Sequence, residues 1–358
     1  MRPLPRECRL AVMIGRAGAI LTAVLMVVAC ADVRANDAPR RSSADYSSLY
    51  DDSTLTYWQG RYAPNVRVNL DTLLAHLTAS EQAAVRGLTL EMPLRDDGDP
   101  LAYYAAPGRR VVMSTLSIKF FDDLAQATAW LVRNEYSNES VAYYVSVLKC
   151  RGPEQFPGGQ YSPPLRALGI PPDVLADSFV NDVSLKVLNG AVVFTLAHEL
   201  GHVVLHHTAT ESSNVQQLHE AQADSFAVDM FRRLGVPPMG VETFFFVATY
   251  LMRNRGDFSS DNAYAEYIAH ASHPVTAARM KALANALRRR PEDFARHQPN
   301  PRRGVELLAS ITARVDSLGS MYDDPDLQQH TAIVCQQIPL SELRPRRVGH
   351  SWFPRQGL

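Results

Sequence analysis

Residues 198–202, with the sequence His-Glu-Leu-Gly-His, form an HExxH motif. On a helix, residues that are four apart lie one turn apart on the same face, so the imidazoles of His198 and His202 can bind one metal ion. Glu199 adjoins the first ligand and can accept a proton from a water molecule that the metal makes acidic. The motif therefore predicts a metal-dependent hydrolytic site.

Glu220 and Asp224 follow in a second segment whose pattern is typical of a helix. A hydrolytic zinc site needs a third protein ligand and keeps its fourth position for water. Because Glu220 and Asp224 are four residues apart, both carboxylates lie on one helix face, Glu220 toward the metal and Asp224 toward a ligand imidazole whose second N–H it can accept. We therefore predict one Zn2+ per chain, with the ligands His198, His202 and Glu220, the base Glu199 and the orienting carboxylate Asp224.

Three further histidines, His206, His207 and His219, lie close to these motifs in the sequence. His206 and His207 are better explained as residues at the end of the first helix, where positive charge interacts favourably with the helix dipole. His219 adjoins Glu220 but points about 100° away from it around a helix. We therefore leave all three histidines out of the predicted ligand set.

These motifs together resemble the M48 peptidases, a family that includes the CAAX-prenyl protease and bacterial envelope protease-chaperones. The resemblance rests on HELGH at 198–202, EAQADSFA at 220–227, and Ser272-His273-Pro274 followed by Arg279. The segment 104–111 is also similar to the strand and turn that precede the catalytic helix in that family. The matching regions, roughly residues 100–120 and 190–285, make up about a third of the chain.

The resemblance implies a zincin fold of the gluzincin type, in which a glutamate is the third zinc ligand. It implies that His273 and Arg279 lie over the metal, where they either gate it or support the transition state. It also implies that the substrate backbone adds to an edge strand containing Arg110, Val111 and Val112, which would then bind substrate.

Two features depart from that family. Some 70 residues separate the strand near residue 110 from HExxH, where the family usually has a short link. The multiple membrane spans of the prenyl-protease branch are absent from the sequence. A lipid-modified substrate held in a membrane chamber is therefore not expected.

The first 35 residues have the pattern of an export leader. Four arginines precede an uncharged apolar run, Ala17–Ala29, that is short for a membrane span. Val33-Arg34-Ala35 suits cleavage after Ala35, whereas Val27-Val28-Ala29-Cys30 resembles a lipobox, and a lipidated Cys30 would attach the chain peripherally to a membrane. An uncleaved anchor is the third alternative. All three predict an exported protein, in the periplasm or lipid-anchored to the envelope.

The charge composition bears on which partners the chain can bind. A formal net charge of -1 gives no basic excess, so no nucleic-acid partner is expected. The metallopeptidase motifs predict protein or peptide substrates, and the oligomeric state is left open. Cys150 and Cys335 remain once the leader is set aside. In an oxidising compartment they can form a disulfide, but two separate buried thiols fit the sequence equally well.

The apolar pattern predicts an α+β, mostly helical fold, with a zincin-like metallopeptidase core and a small β-sheet. The predicted strands are a hairpin of 88–94 with 101–105, and a further strand at 110–115. The predicted helices cover about 69–86, 121–136, 141–150, 183–207, 216–234, 241–255, 275–289 and 305–318.

We divide the chain into four parts. These are a leader at 1–35, a flexible linker at 36–60, a zinc metallopeptidase domain at 61–290 with an insertion at about 122–188, and a C-terminal extension at 291–358. The linker is rich in Ser, Asp and Arg, and residues 151–173 are rich in Pro and Gly, which predicts a long surface loop there.

The function predicted from these motifs is that of an exported zinc-dependent metalloendopeptidase acting on envelope or secreted proteins, through a zinc-bound water and Glu199. The alternative is a periplasmic chaperone or assembly factor that keeps the zinc site and cleaves little. Identical ligands would serve both functions, so the sequence leaves both open.

Overall fold

The computed structural model describes residues 45–96, 98–208, 212–271 and 273–347. The predicted leader lies outside these residues. The strands are β1 Thr89–Glu91, β2 Tyr103–Ala106 and β3 Arg110–Met113. The α-helices are α1 Asp52–Ala75, α2 Ala79–Ala84, α3 Thr115–Arg133, α4 Glu139–Cys150, α5 Pro164–Leu168, α6 Ser178–Val204, α7 Ser213–Leu234, α8 Val241–Leu251, α9 Asp261–His270, α10 Ala277–Leu287, α11 Pro301–Met321 and α12 Pro325–Gln337. The predicted fold class, mostly helical α+β with a small sheet, is confirmed.

The sheet has the order β1-β3-β2, with β1 parallel to β3 and β2 antiparallel to it. The predicted hairpin between 88–94 and 101–105 is therefore wrong, because β2 pairs with β3 instead. A three-residue turn joins these two strands, and it contains Gly108 at φ 84 and Arg109 at φ 59. Glycine tolerates such left-handed backbone, so this short turn closes the hairpin locally.

The flexible linker predicted over residues 36–60 is wrong for its second half. Helix α1 begins at Asp52, and the Asp51 side chain caps it by accepting a hydrogen bond from the Thr54 backbone N–H at 2.7 Å. Leu49 and Leu55 are buried in the core. Most of the large apolar residues described in this polar segment face the domain, although Tyr57 is exposed, and composition alone does not show this arrangement.

Helix α6 lies at the centre of the domain and packs against α3 on one side and α7 on another. It is long and apolar enough to cross a bilayer, but 67% of its most apolar window is buried inside the domain. Helix α3 is itself buried on nearly every face. Because α3 supplies one wall around α6, the segment predicted as an insertion at 122–188 forms part of the core.

The C-terminal extension packs on the same core, with α11 against α8 and α10, and α12 against α4. Cys150 at the end of α4 and Cys335 in α12 form a disulfide with a Cα–Cα distance of 5.8 Å. Arg151 adds to this link by donating hydrogen bonds to the carbonyls of Cys335 and Ile338, both at 2.7 Å. The predicted loop at 151–173 also contributes to the core through its buried residues Phe156, Tyr161, Leu168 and Ile170.

Candidate metal centre

Helix α6 carries His198, Glu199 and His202 toward α7. His198 and Glu199 are buried, and the His202 side chain is 12% exposed. Gly201 allows the close approach, because a Cβ there would lie 3.1 Å from the Cα of Ala223 and 3.1 Å from the Cβ of Phe226. The glycine of HExxH therefore sets the distance between the two helices that carry the site.

The three predicted ligands converge on one point. The Nε2 atoms of His198 and His202 are 3.1 Å apart. Glu220 on α7 lies opposite them, with Oε2 3.4 Å from Nε2 of His198 and Oε1 3.4 Å from Nε2 of His202. His273 joins the group, since the potential ligand atoms of all four residues lie within 4.8 Å of one another.

These donors fit a zinc ion. Ligand atoms held at about 2.0–2.1 Å from a tetrahedral ion lie about 3.3–3.4 Å from one another, close to the distances just given. Oε1 of Glu220 and both carboxylate oxygens of Glu199 are buried, and none of them has a hydrogen-bond partner among the described residues. A buried carboxylate oxygen without a hydrogen bond is costly, and a cation held by this group of residues would offset that cost.

Asp224 and Arg279 hold the ligands from behind. Asp224 Oδ1 lies 2.9 Å from Nδ1 of His198, which leaves Nε2 of that ring for the metal. Arg279 on α10 is buried and donates to both oxygens of Asp224 at 2.7 and 2.9 Å. The same guanidinium lies 2.7 Å from Oε2 of Glu220. Asp224 therefore orients His198 rather than His202.

The carboxylates around the site favour a positive charge at the position of the ligand atoms. Burial alone would lower the pKa of His198, but the hydrogen bonds and charges of Asp224 and Glu220 outweigh it and raise that pKa to about 10. Burial would raise the pKa of Glu220, yet Arg279 and His273 hold it well below its usual value. A metal ion would take the place of the proton on His198, because a ligand histidine must be neutral.

His273 lies directly over the site, on the segment between α9 and α10. Its Nδ1 is 3.3 Å from Glu220 Oε2, and its Nε2 is 3.4 Å from Glu199 Oε1. The same Nε2 donates to the carbonyl of Tyr103 on β2 at 2.9 Å, and the two rings stack with centroids 5.1 Å apart. The structure thus brings both residues to the cluster, His273 over it and Arg279 behind it against Asp224 and Glu220, whereas the resemblance implied that both lie over the metal.

The implied substrate contacts on β3 are wrong. Strand β3 lies in the middle of the sheet, paired on both sides, so a peptide cannot add to it. Val111 and Val112 are buried in this pairing, while Arg110 points outward and forms an ion pair with Glu91 at 3.1 Å. Sequence spacing identified the strand but could not give its place in the sheet.

Two contacts of the site were missed from the sequence. Tyr103 supplies the carbonyl and the ring that hold His273, and a single tyrosine in a strand gives no signal of this. His207 has its Nδ1 2.9 Å from Nδ1 of His202 and its Nε2 2.9 Å from Oε1 of Gln222. Burial and the neighbouring His202 lower the pKa of His207 to about 4. The helix-end interpretation of His207 does not include this contact, because residues five apart do not share a face of a regular helix.

Comparison with known proteins gives a family match that covers part of this site. Residues 155–235 match the family model described as Peptidase U49. No curated protein and no solved structure matches the chain. The matched residues include all of α6 and α7 and therefore both helices that carry HExxH, Glu220 and Asp224. The match indicates a peptidase family.

Proposed function

We propose that this chain is an exported, zinc-dependent metalloendopeptidase with a gluzincin site of the M48 kind, bound to one zinc ion per chain. The observation that carries the proposal is the converging set of His198, His202 and Glu220, with the unpartnered carboxylate of Glu199 beside it. The match to a peptidase family over the same two helices supports the reaction class.

Each residue of the site has a part in peptide hydrolysis. When zinc is bound by the three ligands, it supplies Lewis acidity to the scissile carbonyl and to the attacking water. Glu199 accepts the proton of that water and passes it to the leaving amine. Asp224, held by Arg279, keeps the His198 ring in the tautomer that presents Nε2.

Strand β2 is the part of the sheet that suits a peptide substrate. It lies at an edge of the sheet, and its Tyr103 carbonyl is next to His273 over the site. An extended peptide adding along β2 would gain backbone hydrogen bonds and would bring a scissile bond toward Glu199. His273 must leave the Tyr103 carbonyl before a peptide can use it.

Export is the second part of the proposal. The disulfide between Cys150 and Cys335 joins two segments of the chain, and structural disulfides persist in oxidising compartments. The leader pattern at 1–35 supports the same location, in the periplasm or on a lipid-modified Cys30 at the envelope.

Metal content and proteolysis together test the proposal. We expect about one zinc per purified chain by elemental analysis, and casein digestion that stops with a chelator and returns with zinc. Ala substitution of His198, His202 or Glu220 should remove the zinc, since each supplies a ligand atom. His270→Ala is the matched control, because this exposed histidine lies outside the group of potential ligands and its ring contacts the Glu266 carbonyl. Full zinc occupancy in Glu220→Ala would remove Glu220 from the ligand set.

A chaperone or assembly factor that retains the site is the second candidate. It is favoured by one observation: Glu199 is fully buried beneath His273, so the site is closed to a peptide in this conformation. Restoration of a deletion phenotype by Glu199→Gln would favour this candidate, because only the base is lost in that variant.

A further inference from the structure

His207 contacts the side of the His202 ring that faces away from the proposed metal. Nε2 of His202 points into the ligand cluster, 3.1 Å from Nε2 of His198 and 3.4 Å from Glu220. The other ring nitrogen, Nδ1, lies 2.9 Å from Nδ1 of His207. A ligand histidine needs a partner for its second nitrogen, and His207 occupies that position.

The end of α6 is built so that the His207 ring folds back. The helix ends at Val204, and His206 adopts a left-handed conformation with φ 56. The backbone N–H of His207 then donates to the carbonyl of His202 at 3.0 Å, which closes the turn. Positive φ is uncommon outside glycine, but histidine is one of the residues enriched there, so His206 can make the turn that places this ring.

Two residues of α7 fix the ring once it is there. His219 stacks against His207 with ring centroids 4.1 Å apart and planes within 10°. Gln222, which is three residues later and so on the same side of α7, has its Oε1 2.9 Å from Nε2 of His207. The His207 ring is thus held by stacking on one face and by a polar contact at each nitrogen.

We propose that His207 is a positioning residue for the metal ligand His202 and that Gln222 sets its tautomer. The assignment follows from donors and acceptors alone. Oε1 of Gln222 can only accept, so Nε2 of His207 carries the proton and Nδ1 of His207 is an acceptor. The proton between the two rings therefore belongs to Nδ1 of His202, and Nε2 of His202 keeps its lone pair for the metal.

This inference rests on the proposed metal site. It adds a chain of contacts on the side away from the metal, in which Gln222 contacts His207 and His207 contacts His202. It makes the two histidine ligands unequal. His198 is backed by a buried carboxylate, Asp224, which Arg279 neutralises. His202 is backed by an imidazole at the more exposed side of the site.

Two substitutions of His207 separate hydrogen bonding from packing. His207→Phe keeps a ring to stack on His219 but has no acceptor for Nδ1–H of His202. His207→Asn loses the ring but can offer an amide oxygen near the position of Nδ1. Zinc affinity is measured by competition with a chromophoric chelator, and the Nδ1–H of His202 is followed by nitrogen-15 NMR of the zinc-loaded chain.

We expect His207→Phe to weaken zinc binding by about tenfold to a hundredfold, the range typical of partners behind a metal ligand, and to shift or remove the His202 Nδ1–H signal. His207→Asn should restore affinity to within a few-fold of the wild type. Gln222→Leu should give a smaller loss, and Gln222→Glu, which still accepts, should keep the affinity. His206→Asn is the matched control, since the His206 side chain is exposed and asparagine tolerates positive φ.

The outcomes distinguish this inference from the proposed function. A wild-type chain that binds zinc and cleaves casein, with equal zinc affinity and an unchanged His202 signal in His207→Phe, overturns only the role of His207. A wild-type chain that binds no zinc overturns the metal site and this role together. Equal losses in His207→Phe and His207→Asn, with lower thermal stability of both metal-free proteins, would show that His207 only packs, which also overturns the inference.

Discussion

Two clusters of buried charge lie on neighbouring helices and are built in opposite ways. The α3 cluster consists of Lys119, Asp122 and Asp123 with Tyr50 and Tyr62. We define the metal cluster as the potential ligands His198, His202 and Glu220 on α6 and α7, together with Glu199 beside them on α6. Both are almost completely shielded from solvent.

The α3 cluster satisfies its own charges. Lys119 pairs with Asp123 in a short contact and lies 3.7 Å from Asp122. The hydroxyls of Tyr50 and Tyr62 donate to Asp123 and Asp122 at 2.7 and 2.6 Å. None of these five side chains has a buried polar atom without a partner among the described residues.

The metal cluster leaves three carboxylate oxygens without a hydrogen-bond partner among the described residues, two on Glu199 and one on Glu220. Burying such a group costs free energy that folding alone does not recover. The α3 cluster contains no such oxygen among the described residues. In the proposed function these oxygens face the metal ion and the reacting water, which would supply their missing contacts.

The largest expected effect is at Glu199. We expect Glu199→Gln to lower the rate of casein cleavage by about 10²–10⁴-fold, because a general base contributes on that order, while zinc content stays the same. Without metal, the free energy of unfolding of the variant should be about 1–3 kcal/mol higher than that of the wild type. The reason is that a neutral amide replaces a buried carboxylate that has no hydrogen bond. Urea titration with chelator present measures the second effect. A variant that is both inactive and less stable would mean that Glu199 holds the fold.

The second prediction concerns Lys119 in the α3 cluster. Lys119→Met leaves two buried carboxylates without their cation, so we expect the free energy of unfolding to fall by about 3–5 kcal/mol. Zinc content and the rate per folded molecule should not change. The matched control is Lys186→Met, which removes an exposed pair with Asp182 at 2.6 Å and should cost about 0.5 kcal/mol or less. A similar small loss for both variants would contradict the distinction between the two clusters.

The difference between the clusters also explains what the sequence could reveal. The metal cluster uses residue types at fixed helical spacing, so its ligands on α6, Glu220 and Asp224 could be predicted from two short motifs. Lys119, Asp122 and Asp123 also share a helix face, but charges at such spacing usually belong to a solvated surface. In the structure, α1 packs over α3 and covers these charges. Tyr50, just before α1, and Tyr62, in α1, donate the hydrogen bonds to them.

The pairing of strands that are distant in the sequence also could not be predicted. The sequence indicated strands near 89, 103 and 110, yet the order β1-β3-β2 depends on contacts between segments that no local pattern encodes. Helices α9 and α12 were not predicted, and α1 was predicted to begin some 17 residues too late, because their apolar faces are short and interrupted. The fold of His207 back onto His202 depends on the left-handed backbone of His206, which no residue type at that position announces.

His273 belongs to neither helix of the metal cluster, and it tests whether the closed site is a resting state. Its ring covers Glu199 and Glu220 and donates to the Tyr103 carbonyl, the group that an added peptide strand would use on β2. We expect His273→Ala to raise casein cleavage by about tenfold, equivalent to about 1.4 kcal/mol, without loss of zinc. The gain should be smaller for a short peptide, which needs less of the β2 edge. A tenfold fall would instead make His273 a support of the transition state, and unchanged kinetics would leave it no part in the reaction.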